Sequence, residues 1–141
     1  MYNNNMQTFL PYESFIESAH VLDNKRLGKQ RVECIQILNT LIGKTNGWKN
    51  HPCVKMWKGH EYLLTIYGFH ICLEWINRGY TDNCLNKIRE IAKDLKCSYD
   101  KPKWLGRKDF HLSHQSNLLR KNPKHYSRFF NVANNLSYIW S

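Results

Sequence analysis

Four polar residues near the N-terminus recur at the spacing of one helix face, and together they have the chemistry of a catalytic cleft. They are His20, Asp23, Asn24 and Arg31. On a continuous helix, at 100° per residue, they fall in line with Leu27, Cys34 and Leu38, which should face the core. A carboxylate and an imidazole can move protons, an amide can hydrogen-bond to a base edge, and a guanidinium can bind phosphate. This inward cluster predicts a polar cleft, because buried polar groups without partners are costly.

The opposite side of the same predicted helix is expected to be solvated. It carries Lys25, Arg26, Lys29, Glu33 and Gln36. Asp23 is then the inward acid, which can act as a general base on water or stabilise positive charge that develops on a substrate. Glu33 ranks below it because it lies among the solvated residues. The alternative is that the inward residues form a buried polar network that only fixes packing.

An excess of positive charge predicts a polyanionic partner, with nucleic acid first. The chain has 21 Lys and Arg against 11 Asp and Glu, for a net charge of +10. The candidate DNA-binding residues include Arg26 and Lys29 and otherwise lie in two segments, 101–108 and 120–128. They are Lys101, Lys103, Trp104, Arg107 and Lys108 in the first segment, and Arg120, Lys121, Lys124, Tyr126 and Arg128 in the second. The first segment suits backbone neutralisation with stacking on an unpaired base. The alternatives are a merely basic surface and a Trp104 that packs on the core.

Several classes of protein are disfavoured. No apolar run reaches the length of a membrane span and no signal peptide opens the chain, so a cytoplasmic protein without membrane contact is expected. Five cysteines without a Cys-x-x-Cys pair favour reduced thiols over a disulfide framework or a zinc site. His111 and His114 lie one helical turn apart but lack an evident third ligand. Neither a metal nor an organic cofactor is expected.

The pattern of apolar residues predicts a compact all-α domain of three to four main helices, spanning residues 1–141. We expect a long helix from Glu13 or Ser14 to about Leu41, and others over about 54–77, from Asp82 or Asn83 to about 97, and over 111–121. A basic loop covers 98–109, residues 125–139 are ambiguous, and residues 1–8 form a flexible N-terminal arm. Gly28 lies within the first helix at a cost of about 1 kcal/mol relative to alanine, which predicts a close approach of another element.

The order of several motifs resembles the pyrimidine-dimer DNA glycosylases, from about Met6 to Phe130. These motifs are Ala19-His-Val-Leu with Gln30-Arg-Val, Pro52 followed by Gly59-His-Glu, Glu74 before Arg78-Gly-Tyr, and Ser113-His followed by Leu118-Leu-Arg, Pro123 and Tyr126. Phe9-Leu-Pro-Tyr and the segment 23–31 resemble a bacterial branch of that family. The resemblance implies an all-α, endonuclease V-like fold with a basic concavity that faces DNA. It also implies removal of a damaged pyrimidine, followed by backbone cleavage through a Schiff base.

The resemblance assigns roles to residues of the first long helix. His20 matches the family's histidine, and Arg26 or Arg31 matches its phosphate-binding arginines. The family's catalytic glutamate falls at position 27 or 28, where this chain has no acid. Asp23, one turn earlier, is the predicted substitute.

The family's nucleophile is the α-amine of the mature N-terminal residue, and here it has two possible sources. The family's start maps near Met6, which leaves Met1 to Asn5 as an extension. The amine of Met1 can act from a flexible arm, or that of Met6 if synthesis begins there; Lys25 ranks below both. We expect base removal to exceed strand cleavage in the full-length chain.

The sequence therefore predicts a DNA N-glycosylase that acts on damaged or modified pyrimidines in double-stranded DNA, with weak lyase activity in addition. The protein is expected to be a monomer that displaces a nucleotide into a polar cleft. Two alternatives stay open: a non-catalytic DNA-binding module of the same fold, and an enzyme that acts on nucleotides or modified bases.

DNA binding is expected to weaken steeply with salt, because counterions are released when cations neutralise phosphates. Neutralisation of about five phosphates gives a log–log slope of binding constant against salt of about −4 to −5. Fluorescence polarisation of a labelled duplex across a salt series measures this slope. A slope close to zero would remove nucleic acid as the main partner.

Overall fold

The computed structural model describes residues 6–141, and the regular elements in that range are all α-helices. They are α1 (Phe15–Val21), α2 (Asn24–Leu41), α3 (Pro52–Lys55), α4 (Glu61–Asn77), α5 (Leu85–Lys93), α6 (Lys108–Lys121) and α7 (Pro123–Tyr126). The all-α prediction is confirmed. Within 6–141, no helix is both long and apolar enough to cross a membrane.

The first long helix was predicted as continuous, and it is in fact two helices. Ser14 caps α1 by accepting a hydrogen bond from the backbone of Glu17. The chain then becomes extended at Leu22 (ψ 137°) and at Asp23 (ψ 158°), and α2 begins at the next residue. Asp23 occupies the N-cap position of α2, but its carboxylate makes no capping hydrogen bond to the helix backbone. The residues before this break therefore do not share the register of α2.

The other helix boundaries also differ from the predicted ones. The predicted helix over 54–77 is split into α3 and α4, since Gly59 adopts a positive φ of 85° between them. Helix α5 ends before residue 97, because its last turn tightens into i→i−3 hydrogen bonds at Asp94 and Leu95. Helix α6 begins three residues before His111 and two residues after Gly106, which has a φ of 93°.

Two glycines allow the central helices α2, α4 and α5 to approach closely. A Cβ built on Gly28 would lie 2.9 Å from the ring of Trp75, so the predicted close approach is confirmed. A Cβ on Gly68 would lie 2.7 Å from the Cys34 Sγ and 2.9 Å from the Ile88 Cδ1. Both neighbours of Gly68 are fully buried, so they lie within the close-packed core.

The segment that precedes α1 is buried rather than flexible. Met6, Gln7 and Thr8 are at most 2% exposed, which corrects the expected arm for these three residues; residues 1–5 lie outside the described part of the chain. Internal hydrogen bonds and apolar contacts hold this segment, so it is part of the core.

His111 and His114 of α6 both bind the backbone of Leu10. The Leu10 N–H donates to the His114 Nδ1 (3.0 Å), and the Leu10 carbonyl accepts from the His111 Nδ1 (2.8 Å). Burial lowers the pKa of His111, and it lowers the pKa of His114 to about 3, so both rings are neutral at pH 7. Their one-turn spacing therefore serves packing. Residues 6–141 contain no group of three or more His, Cys, Asp or Glu arranged to hold a metal.

Gly68→Ala is expected to destabilise the protein by about 1–2 kcal/mol. Overpacking between Cys34 and Ile88 outweighs the higher helix propensity of alanine. Urea unfolding followed by circular dichroism measures the change. Gly47→Ala is the matched control, because no atom lies within 4 Å of a Cβ at that loop position. Equal midpoints for the two variants would contradict the packing argument.

Candidate active site

A basic pocket of about 160 Å³ lies between α2, the end of α6 and the segment around Phe9. Its walls are formed by Phe9, Lys25, Arg26, Lys29, Gln30, Glu33 and Lys121. Four of these side chains are cationic and one is acidic. The arrangement combines anion binding with a carboxyl group at a single place.

Glu33 is the acid of this pocket, and it is buried rather than solvated as predicted. Its exposed fraction is 3%. The Oε1 atom accepts a hydrogen bond from the Gln30 Nε2 (3.1 Å), whereas the buried Oε2 has no hydrogen-bond partner within residues 6–141. Burial raises the pKa of Glu33 to about 7, against the opposing effects of Lys29 and of the Gln7 backbone amide. This carboxyl group therefore titrates near neutral pH.

Gln30 holds the Glu33 carboxylate and the segment before α1 in a fixed relation. Its Oε1 accepts from the Phe9 backbone N–H (3.1 Å) and from the Tyr67 hydroxyl (2.6 Å). Its Nε2 donates to the Gln7 carbonyl (2.6 Å) as well as to Glu33. The amide thus uses both donors and two acceptor positions.

Asp23, the predicted catalytic acid, does not line the pocket. Its carboxylate accepts hydrogen bonds from the Tyr126 hydroxyl and from the Arg26 Nη1 (3.1 Å). The pKa of Tyr126 is raised by burial first and then by this bond to Asp23. Asp23 therefore links α7 to Arg26, and it orients a guanidinium that does line the pocket.

His20 and Asn24 lie in a separate polar cluster at the end of α4. The His20 side chain is 74% exposed, with its Nδ1 3.7 Å from the Glu74 carboxylate. Asn24 donates to the Tyr80 hydroxyl (2.9 Å) and accepts from the Arg78 Nη1 (2.9 Å). His20 was predicted to face inward on a helix continuous with α2. The break between α1 and α2 changes the direction of its side chain, because His20 belongs to a separate helix.

Arg31 binds protein groups rather than lining the pocket. Its Nη1 lies 2.7 Å from the Asp82 carboxylate, and its guanidinium lies 4.6 Å above the ring of Trp75. Asp82 in turn accepts hydrogen bonds from the backbone N–H groups of Cys84 and Leu85 at the start of α5. Arg31 therefore belongs to a polar network that fixes packing, which is the alternative given in the sequence analysis.

The basic loop that contains Trp104 does not offer that ring for base stacking. Trp104 is 4% exposed, donates to the Met56 carbonyl (3.0 Å) and packs against Trp57 and Phe110. Two cations of the loop have acidic partners: Lys101 lies 2.7 Å from Glu13, and Arg107 lies 2.9 Å from Asp109. Lys103 and Lys108 are exposed. The core-packing alternative is the correct one for Trp104.

The cations near the C-terminus divide into three groups. Lys121 lines the pocket. Arg120 is held by backbone carbonyls of Asn134 and Leu136. Lys124 and Arg128 line a neighbouring cleft with Asn122 and His125.

The aromatic residues near the C-terminus differ in their exposure to solvent. The rings of Tyr126 and Phe130 are buried and stack at 5.7 Å, whereas Phe129 is 41% exposed and lies beneath the Arg128 guanidinium at 5.1 Å. Tyr126 therefore contributes through its bond to Asp23, and Phe129 is the aromatic ring available to solvent.

Comparison with known proteins supplies independent evidence on the family. A family model described as pyrimidine dimer DNA glycosylase matches residues 6–88, a range that includes Gln30 and Glu33 but not Lys121. No curated protein and no solved structure matches the chain. Because the family match covers more than half of the chain, this protein belongs to the pyrimidine dimer DNA glycosylase family.

Proposed function

We propose that this protein is a DNA N-glycosylase that releases damaged or modified pyrimidines from double-stranded DNA, and that the reaction takes place at Glu33. The observation that carries the proposal is a buried carboxyl group with an unpartnered oxygen, among residues 6–141, in a pocket walled by four cations. Cations recognise the phosphates of a nucleotide, and a carboxylate acts on its sugar. The alternative of a non-catalytic DNA-binding module is disfavoured, because Glu33 supplies a carboxyl group inside the pocket.

The proposed reaction uses Glu33 in its ionised form. The bond between C1′ and the base breaks, its electron pair leaves with the base, and the base takes up a proton from solvent. The carboxylate stabilises the positive charge that develops on the sugar. Water then adds to C1′ and gives its proton to Glu33, whose pKa near 7 suits a general base at neutral pH.

The cations of α2 position the nucleotide for this step. Lys25, Arg26 and Lys29 follow one another around the first turns of the helix and all line the pocket. They bind the phosphates on either side of a nucleotide that has been displaced from the duplex. Arg26 has the most fixed direction, because Asp23 holds its guanidinium. Asp23 is thus a positioning residue in this proposal.

Glu33→Gln is expected to reduce base release by about 10²- to 10⁴-fold, the usual contribution of a general base. DNA affinity should be unchanged or slightly higher, because an anion is removed beside phosphate. The measurement is release of pyrimidines from duplexes that carry defined lesions, scored after alkali treatment. Asp23→Asn serves as the comparison and should retain more activity. Near-wild-type release by Glu33→Gln, or an equal loss in both variants, would exclude Glu33 as the acting group.

Glu33→Gln is also expected to abolish one pH dependence of stability. The pKa of Glu33 is about 7 in the folded protein against 4.5 for a free side chain, so the folded state binds more protons between these values. Wild-type stability therefore falls as the pH rises through this window. Glutamine does not titrate, so the variant should gain on the order of 3 kcal/mol relative to the wild type from about pH 4 to about pH 8. Urea unfolding at several pH values measures this gain, and parallel curves for the two proteins would contradict it.

A further inference from the structure

One cation of the pocket belongs to a different helix from the other three. Lys121 is in the last turn of α6, whereas Lys25, Arg26 and Lys29 all belong to α2. Glu33 is also a residue of α2 and lines the same pocket. Lys121 therefore presents its charge to a bound nucleotide from a different wall than the carboxyl group.

Glu33 and Lys121 also differ in their exposure to solvent. Glu33 is 3% exposed, whereas Lys121 is exposed, so the carboxyl group is at the buried end of the pocket and the lysine is at its open end. The two side chains interact electrostatically across the pocket. A group bound between them has one side toward negative charge and the other side toward positive charge.

The proposed reaction separates charge along this direction. As the bond between C1′ and the base breaks, the sugar becomes positive and the departing base becomes negative. Glu33 is on the side from which water adds, and the base leaves on the opposite side of the sugar. We propose that the Lys121 ammonium group stabilises the negative charge of the departing base, which makes it a second catalytic residue; this assignment rests on the proposed function.

The step balances without an oxidant, a reductant or a covalent bond to the lysine. Both electrons of the bond between C1′ and the base stay on the base, and the resulting negative charge pairs with the ammonium group of Lys121. The base takes up its proton from solvent as it leaves. Water that adds to C1′ gives a proton to Glu33, which returns it to solvent.

The groups around Lys121 determine the pH range in which it is charged. Partial burial lowers the pKa of Lys121 first, and the like charges of Arg26, Arg120 and Lys29 lower it further, whereas Glu33 raises it. The ammonium form is the active one. Base release should therefore fall as the pH rises through this pKa, at a lower pH than for an ordinary lysine.

Single-turnover base release at saturating protein tests this assignment, because it measures bond breaking apart from DNA affinity. The probes are duplexes that carry one thymine dimer, one uracil or one 5-fluorouracil. On each duplex from which the wild type releases a base, Lys121→Met should lower the rate about 10²-fold, the usual cost of removing one such donor. Lys121→Arg should keep most of the rate and extend it to higher pH, because arginine stays charged. Lys55→Met, at an exposed position on α3 outside the pocket, is the matched control and should react like the wild type.

The identity of the departing base supplies a second readout. Fluorine withdraws electrons, so 5-fluorouracil departs as a more stable anion than uracil and needs less stabilisation by a cation. Where the wild type releases both bases, the loss in Lys121→Met should be smaller for 5-fluorouracil. Equal losses for the two bases would contradict a role at the departing base.

A lysine that only bound phosphate would change DNA affinity and leave the saturated rate unchanged. A wild-type rate for Lys121→Met would therefore overturn the assignment, as would an equal loss in Lys121→Arg or a wild-type rate that does not fall at high pH. If Lys121→Met fails to fold, the pH profiles of the wild type and of Lys121→Arg decide the question. Absence of base release by the wild type from every duplex would reject the proposed function itself, whereas release that does not depend on Lys121 would reject this assignment alone.

Discussion

Four hydrogen bonds converge on the buried side-chain amide of Gln30, and they join α2 to α4 and to the segment that contains Gln7 and Phe9. Loss of this amide would remove a hydrogen-bond partner from the Glu33 carboxylate and from two buried backbone groups, the Gln7 carbonyl and the Phe9 N–H, at about 1–3 kcal/mol for each group. The orientation of Glu33 follows from the same contact, because one carboxylate oxygen is occupied by Gln30 while the other has no partner within residues 6–141. The uncharged Gln30 therefore fixes the position of the acid in the pocket.

Net charge and local charge give different information about this protein. The value of +10 indicates the class of partner, but Lys101 and Arg107 are already paired with acids of their own surroundings. The pocket is different, because Glu33 is its single acid among four cations. A carboxyl group that is desolvated and yet surrounded by positive charge keeps a pKa near neutrality through the balance of the two effects.

Local periodicity predicted the helices and the apolar side of α2, since Leu27, Cys34 and Leu38 are all fully buried. Periodicity could not predict the break before α2, because neither Leu22 nor Asp23 is a glycine or a proline. The backbone is extended at this break, and the Asp23 N–H there donates to the hydroxyl of Tyr126, which lies about a hundred residues further along the chain.

The position of Glu33 was missed for a related reason. The residues that cover its side of α2 lie more than twenty positions earlier in the chain, and no helical period reports such a contact. A signal was present nonetheless: Gln30, Glu33 and Ile37 recur at i, i+3 and i+7, which describes a second buried flank of the helix. Glu33 was interpreted as solvated, whereas its side chain is 3% exposed and lines the basic pocket.

The partnership between Leu10 and the two histidines of α6 bears on the order in which the molecule can be assembled. Leu10 is made about a hundred residues before His111 and His114, and Val21 precedes its partner His125 by a similar interval. During synthesis the helices α2 and α4 can pair early and bind Gln7 and Phe9, but the hydrogen bonds of Leu10 form only after α6 has been made. Because Lys121 is one wall of the pocket, a nascent chain lacks that wall until α6 has been made.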